Sequence, residues 1–454
     1  MLISYLLLVD TCPSSSSCSF PALGGVSTTC LHLPFSSVTR QLTYSWSFAR
    51  VPFSAKPSRT LSVITDPDDY MTVSSSCLEK NYFYQKLLGR WVGQGMVTAS
   101  VPVWKRISKL LMPALNQQII NSYIGVHNNQ ARSLVNLFDP FVGKEFDPIT
   151  KIKRTALEAA FLTTLNIEIE EDPQRMERYF KAIEDLTNII AQRIQRLWMH
   201  VDYLYGWSDL KKSEDEALCV VKEYCKIDSF TGRYRSFLDI LMDLSEAGEL
   251  TDKEIQEQVN TLMFAGYETS SITLLYCLVL IGSYPEVQEK IYNELQAVFD
   301  SSDRDVEKED LSRLVYLDAV IKEVTRMFPS APIIVRYLDK DVKLKTCTMK
   351  AGHNCAIMLH SLNRDKIWGK DSNEFRPERW FEDTLPANPN SYTGFGAGRR
   401  ACSGRNYAMM LITITLAHLL RKYKVKADYT KMEMKLEIVL KPVMGHHITI
   451  ERRY

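Results

Sequence analysis

One of the ten cysteines has surroundings unlike those of a structural thiol. In GFGAGRRACSGRNYAMM, Gly394 to Met410, Cys402 follows Arg399, Arg400 and Ala401 and precedes Ser403 and Gly404. A thiolate needs electropositive, hydrogen-bonding surroundings to stay deprotonated. The two arginines and the positive end of a helix opening after Gly404 are expected to supply them. Gly396, Gly398 and Gly404 let the backbone approach something flat. A soft anionic ligand presented in this way suits iron. The chain has no CxxC pair and no Cys/His cluster of zinc spacing, so the remaining cysteines read as reduced and cytosol-facing. For Cys12, Cys18 and Cys30, simple low complexity outweighs a zinc or disulfide role.

Two other stretches carry polar groups where a core is expected. Glu323 and Arg326 lie three apart on a helix and can pair; alone, such a pair is worth under ~1 kcal/mol. Residues 265–271, AGYETSS, interrupt an otherwise apolar run. A mid-helix glycine costs about 1 kcal/mol, and buried polar groups must find partners. This patch is expected to face an internal cavity.

The elements around these residues are largely helical. Thr251 and Glu254 form a capping box that opens a long helix reaching about Gly282. Residues 155–169, 176–198, 286–299 and 313–328 carry apolar residues at three-and-four spacing. Pro285 opens one of these helices and Pro329 stops another. After the cysteine loop, residues 405–423 read as an apolar helix of about five turns. TLSVITDP reads as a strand closing in a turn at Asp66-Pro67, and three short β-like runs occupy 331–360. DSSDRDVEKED reads as a surface loop. With 45% hydrophobic and 24% charged residues and a net charge of +1, the 454-residue chain is globular and nothing global favours nucleic acid. MLISYLLLVD has nine residues before Asp10, short of the ~20 that span a bilayer. Residues 1–58 therefore read as a disordered or mis-joined start without a full membrane anchor.

Phe395-x-x-Gly398-x-Arg400-x-Cys402-x-Gly404, with Ala408 following, resembles the haem-binding signature of the cytochrome P450 family. Other landmarks follow in order: Ala265-Gly266-Tyr267-Glu268-Thr269 resembles the oxygen-activating patch of the I helix, Glu323-Val-Thr-Arg326 the ExxR pair, and Phe375 to Trp380 the PERF segment. The texture is closest to animal, insect-like microsomal members of the fatty-acid ω-hydroxylase-like branch.

The resemblance implies a mainly α, helix-rich fold with small β-sheets over residues 59–454. Haem b (iron protoporphyrin IX) would lie between the I helix and the cysteine-loop/L helix. It implies Cys402 as the metal ligand, with Arg400, Phe395, Gly398, Gly404, Trp104, Arg106, Arg336, Ala265 and Gly266 around the cofactor. Thr269 and Glu268 become the catalytic pair, and Glu323, Arg326 and Arg379 a structural triad. The implied reaction inserts one atom of O2 into a lipophilic small molecule, an endogenous lipid or hormone or a xenobiotic. Electrons would come from NADPH through NADPH-cytochrome P450 reductase, with cytochrome b5 as a further partner, at the cytosolic face of the endoplasmic reticulum membrane. Two positions depart from the family pattern. Ser108 stands where the WxxxR motif beginning at Trp104 has arginine, leaving Arg106 or Lys109 to take its place. Ala265 stands where many ω-hydroxylases carry the glutamate that esterifies haem, so no covalent link is expected. The alternatives are a catalytically impaired or truncated haem-binding product, and a reductase-independent isomerase or dehydratase, which Glu268 and Thr269 oppose.

Overall fold

The computed structural model describes residues 61–166, 173–224, 236–300, 302–382, 385–386 and 391–453; the reading of 1–58 falls outside the described residues. Strand β1 (Leu61–Ile64) leads into helix α1 (Pro67–Ser76). Asp66-Pro67 is thus a helix start and not the closing turn expected. Asp66 Oδ1 accepts the amides of Asp68 and Asp69, each at 3.0 Å. Pro67 takes the first helical position, where its missing N–H costs nothing.

The chain continues through α2 (Tyr82–Val92), α3 (Val101–Leu111) and α4 (Ile124–Phe138) to the short strand β2 (Glu145–Phe146). Then come α5 (Ile149–Leu165), α6 (Pro173–Gln195), α7 (Asp209–Tyr224) and α8 (Phe237–Glu246). The long helix is α9 (Asp252–Ser283), and its Thr251/Glu254 capping box is formed on both sides. At 1.5 Å per residue it runs about 48 Å. It is long and apolar enough to cross a membrane, yet 83% of its most apolar window is buried, which makes it the axle of the core. Its first half packs with α2 and α5–α8 through Trp91, Phe161, Tyr179, Val259 and Met263.

Its second half packs with α4 and three later helices: α10 (Pro285–Phe299), α11 (Val315–Met327) and α12 (Arg405–Lys422). The charged stretch between α10 and α11 is not all loop. It holds a helical turn, Lys308–Leu311, whose buried Asp310 is gripped by Arg304 at 2.6 and 2.8 Å.

The sheets are small. β3 (Ile334–Tyr337) pairs antiparallel, and β1 parallel, with the central strand β6 (Asn354–Ile357), over a third cluster that includes Tyr70 and Val73 of α1. Between β3 and β6 lies the hairpin β4 (Val342–Lys343)–β5 (Thr348–Met349). After α12, β7 (Tyr423–Lys426) and β2 flank β10 (Ile448–Arg452), and β8 (Glu433–Leu436) pairs with β9 (Leu440–Met444).

Candidate active site

Glu323, Arg326 and Arg379 meet at a point with no solvent. Their exposures are 0%, 0% and 3%. Arg326 forks onto both Glu323 oxygens at 2.9 and 2.8 Å, and Arg379 Nε donates to Oε1 at 2.8 Å. Trp380 Nε1 and the Arg376 amide complete the carboxylate at 3.1 and 3.0 Å. The spare guanidinium protons go to the carbonyls of Asn363, Ser372, Glu374, Trp368 and Asp371. A charge network this dry survives only because every lone pair and proton is used. It pins α11 to the irregular chain that leads into the cysteine loop.

That loop is shaped by two glycines in the left-handed region, Gly396 (φ 71°) and Gly398 (φ 75°). A Cβ on Gly398 would also come 3.0 Å from the Ser74 carbonyl oxygen, so α1 leaves no room for a side chain there. The loop closes on itself through Cys402 N–H to the Phe395 carbonyl at 2.8 Å, and the Ala397 amide donates to Tyr70 Oη at 2.6 Å. Cys402 is solvent-accessible, yet it is ringed by protein closely enough that burial raises its thiol pKa. Accessibility inside a protein surround is the signature of a cavity wall. The upward push is opposed by the Gly404 amide and the Arg405 charge, not by Arg399 or Arg400 as the sequence suggested. On balance the loop favours the thiol.

Facing this loop, α9 presents a narrow accessible stripe: Leu262, Ala265, Gly266 and Thr269, with Met263, Phe264, Tyr267, Glu268 and Ser270 buried between them. The spacing is one helix face. A Cβ built on Gly266 would meet only Tyr407 of α12, at 3.9 Å, which brings the stripe next to the first turn after Cys402. The polar patch therefore divides. Thr269 stays on the cavity side, its hydroxyl proton donated to the Ala265 carbonyl at 2.6 Å. Glu268 is 1% exposed, with Lys441 Nζ at 2.6 Å and Lys153 Nζ at 3.6 Å. The carboxylate expected beside Thr269 is instead engaged by Lys441 and Lys153.

A cluster of cations borders the same region. Arg336, 2% exposed on β3, is bridged strand-to-strand with Lys80. Arg400 donates to the carbonyls of Met96 and Ala99 at 3.2 and 2.8 Å, and its guanidinium lies 4.3 Å from the Trp104 ring centre. The Nε atoms of Arg336 and Arg400 are buried without hydrogen-bond partners. Desolvation pushes Arg400 down to about 10, helped by Arg336, with Glu79 opposing. It pushes Lys80 well below its ordinary value too, with Arg336 and Arg400 adding to the effect. Lys80 was not singled out from sequence; its role arises only from pairing with a strand far along the chain. Arg364, beside the Glu323–Arg326 network and apart from this cluster, has an unpartnered Nη2 and a pKa lowered by burial to about 9.

Arg106 does not belong to this group. It points outward, donating to the Glu249 carbonyl at 2.9 Å and pairing with Glu254, the capping residue of α9. A guanidinium so occupied has no fork free for a cofactor carboxylate. Lys109 is exposed, and Ser108 is half-buried. Phe395 is half-buried with the Arg405 guanidinium 5.7 Å from its ring centre.

These residues fit a flat group that carries two carboxylates and a metal. An accessible sulfur lies below, a stripe of small residues lies above, and desolvated cations with unspent donors lie at the rim. Among the described residues no group of three or more His, Cys, Asp or Glu could hold a metal ion.

Comparison with known proteins points the same way. The family model described as Cytochrome P450 matches residues 57–448. Cytochrome P450 4V2 of Mus musculus is 31% identical over 414 residues, 85% of this chain and 79% of that protein. Its Homo sapiens counterpart is 30% identical over 413 residues, 85% of this chain and 78% of the relative. Cytochrome P450 4d2 of Drosophila melanogaster is 28% identical over 420 residues, 86% and 84% of the two chains.

Proposed function

Because this chain belongs to the cytochrome P450 family, a haem-binding monooxygenase fold, we propose that its cavity between α9 and the Cys402 loop oxygenates a lipophilic substrate with electrons from NADPH-cytochrome P450 reductase. Cytochrome b5 is the further electron donor in this reading. The observation that carries it is the accessible Ala265–Gly266–Thr269 stripe lying next to an accessible Cys402. When bound, the haem would supply the iron chemistry that activates dioxygen, which a thiolate ligand would favour.

The protein's part is positioning and proton control. Cys402 would hold the metal. Arg336 and Arg400, with Lys80 added, would take the cofactor's carboxylates, which guanidinium forks suit. Trp104 braces Arg400 by stacking, and Gly398 and Gly404 let the loop approach closely. Ala265 and Gly266 leave room above the ring, and Ala265 offers no carboxylate for an ester link. Thr269 keeps its oxygen toward the cavity, where it orients a proton for the distal side, and Glu268 is the carboxylate behind it. The half-buried apolar segment Ile333, Ile334 and Val335 after α11 supports a lipophilic substrate, an endogenous lipid, a hormone or a xenobiotic. Exposed Lys105, Lys109, Arg399 and Arg405 offer a basic face near the cysteine loop to an acidic reductase.

Thr269→Ala tests this arrangement: bound haem is retained, while product per NADPH consumed falls about tenfold and hydrogen peroxide rises to match. Fully coupled product formation in that variant removes Thr269 from its role.

Association with the endoplasmic reticulum membrane, cytosolic side, is supported by one surface. Trp207 (80% exposed), Tyr203 (73%) and Trp198 (54%) project from the connection between α6 and α7. Tyr82 and Phe83 at the start of α2 extend the patch, since the Phe83 and His200 rings lie 5.4 Å apart. Trp and Tyr favour the headgroup boundary. Trp198→Ser with Trp207→Ser is expected to lower partitioning onto phospholipid vesicles several-fold, read by co-sedimentation; unchanged partitioning counts against this surface.

A further inference from the structure

The segment that presents Cys402 is bonded to itself at three points. The Gly396 amide donates to the Thr393 carbonyl at 2.9 Å, the Ala401 amide to Gly398 at 3.1 Å, and the Cys402 amide to Phe395 at 2.8 Å. The last of these closes residues 395–402 into a loop with the sulfur-bearing residue at its end. Ala397 lies inside that loop and does not share in its internal bonds. It stands between Gly396 and Gly398, both at positive φ (71° and 75°), so its N–H cannot join a helix or a strand ladder. It is buried, which keeps water from serving as a ready acceptor. Its acceptor is the phenol oxygen of Tyr70 at 2.6 Å, on α1 and 327 residues earlier in the chain. One turn along the same helix, the Ser74 carbonyl takes the space a side chain on Gly398 would need. Helix α1 thus shapes the middle of the loop from outside.

We propose that Tyr70 is a positioning residue for the metal ligand: its phenol oxygen, acting through the Ala397 amide, holds the 395–402 loop in the shape that presents Cys402 to the haem. The inference rests on the reading of Cys402 as that ligand. Tyr70 can act in this way because α1 is itself fixed from two sides. At its first turn Lys345, from the connection between β4 and β5, pairs with Asp66 at 3.1 Å and Asp68 at 2.6 Å, and the Lys345 amide donates to Asp69 at 3.0 Å. Behind it, Tyr70 and Val73 pack at 0% exposure with Leu338, Cys355 and Ile357. The phenol also stays neutral. Burial raises its pKa, and the Ala397 amide, Ser74 and the Arg336 charge only partly offset that. Without the phenol oxygen, the Ala397 amide is left buried and unpaired, and the loop must rearrange to find it another acceptor. The sulfur at the end of the loop moves with it.

The experiment uses the haem-loaded full chain and compares the parent, Tyr70→Phe and Tyr423→Phe. Phenylalanine keeps the aromatic packing of Tyr70 and removes only the acceptor. Tyr423, on β7 against α4, is the control. It is also 0% exposed, and its hydroxyl donates to the Val135 carbonyl at 3.1 Å and to Asp139 at 2.5 Å. Each protein is held in urea a fixed step below its own unfolding midpoint, which matches global stability. Under carbon monoxide, the red-shifted Soret band of reduced Tyr70→Phe is expected to decay to the unshifted form roughly tenfold faster than in the parent. Tyr423→Phe should decay at the parental rate. Equal decay of the two variants means that only general stability was lost, and overturns the proposal. Hydrogen exchange read by mass spectrometry gives a second measurement. Peptides covering 394–402 should be protected in the parent and exchange faster in Tyr70→Phe, while those of α12 are unchanged. A loop that exchanges freely in the parent also overturns the proposal, and that result needs no variant to fold. If Tyr70→Phe matches the parent while Cys402→Ala loses the band, this inference alone fails. If Cys402→Ala keeps the band, the ligand reading fails and this inference with it.

Discussion

Cys402→Ala abolishes the red-shifted Soret band of the reduced carbon monoxide complex, and turnover falls to background. The expectation follows from the site's economy: among the described residues, Cys402 is the one soft ligand on the cavity wall. Cys277 provides the contrast. It is fully buried in α9 among Tyr276, Leu278 and Phe328, and burial drives its pKa far up, so it stays a neutral thiol. Cys277→Ala keeps the band and costs about 1–2 kcal/mol of stability from the small cavity it leaves. Arg336→Met sets a third pattern. The thiolate band persists, but a charge-assisted hydrogen bond worth about 1.5–3 kcal/mol is lost, so haem is lost roughly ten- to hundredfold faster when challenged with a haem acceptor. A Cys402→Ala protein that retains the band refutes the ligand assignment; an Arg336→Met protein that holds haem like the parent removes Arg336 from the rim.

Arg326→Ala has the second largest effect, on the fold. It leaves Glu323 fully buried with Arg379, Trp380 and the Arg376 amide but without its paired guanidinium fork, and strips Arg326's hydrogen bonds from the carbonyls of Asn363, Ser372 and Glu374. Removing one partner of a buried pair costs about 3–5 kcal/mol, against a typical total of roughly 5–15 kcal/mol. The variant is expected to yield little folded protein, and what folds should unfold at much lower urea. Arg326→Lys is no rescue, because one ammonium cannot fork onto both Glu323 oxygens while reaching three carbonyls. A parental urea midpoint for Arg326→Lys means that simple charge pairing, not the guanidinium geometry, holds α11 to the cysteine-loop segment.

How much of this was legible depended on how far apart the partners lie. The start of α9 could be read because Thr251 and Glu254 complete each other's hydrogen bonds within one turn. The end of α11 could be read because Pro329 cannot continue a helix. Asp66-Pro67 misled because the same pair serves both a turn and a helix cap, and the residues after it decide which. For Arg106, the local motif pointed toward the cofactor, while Glu254 on another helix offered a nearer carboxylate. Lys80 carried no sequence signal at all.

The sequence alone determined the chemistry that is local. The spacing around Cys402, the glycines that turn its loop, and the Glu323–Arg326 pair each follow from contacts or dihedrals a short segment sets for itself. Tertiary structure decided everything that needs two distant segments in one place. It engaged Glu268 with Lys153 and Lys441, gathered Lys80, Arg336 and Arg400 with unspent donors, and sent Arg106 outward. The physical reason is that a buried charge takes its orientation from whichever counter-charge the packed core brings within a few ångströms. That partner is chosen by helix and strand packing, not by neighbours along the chain.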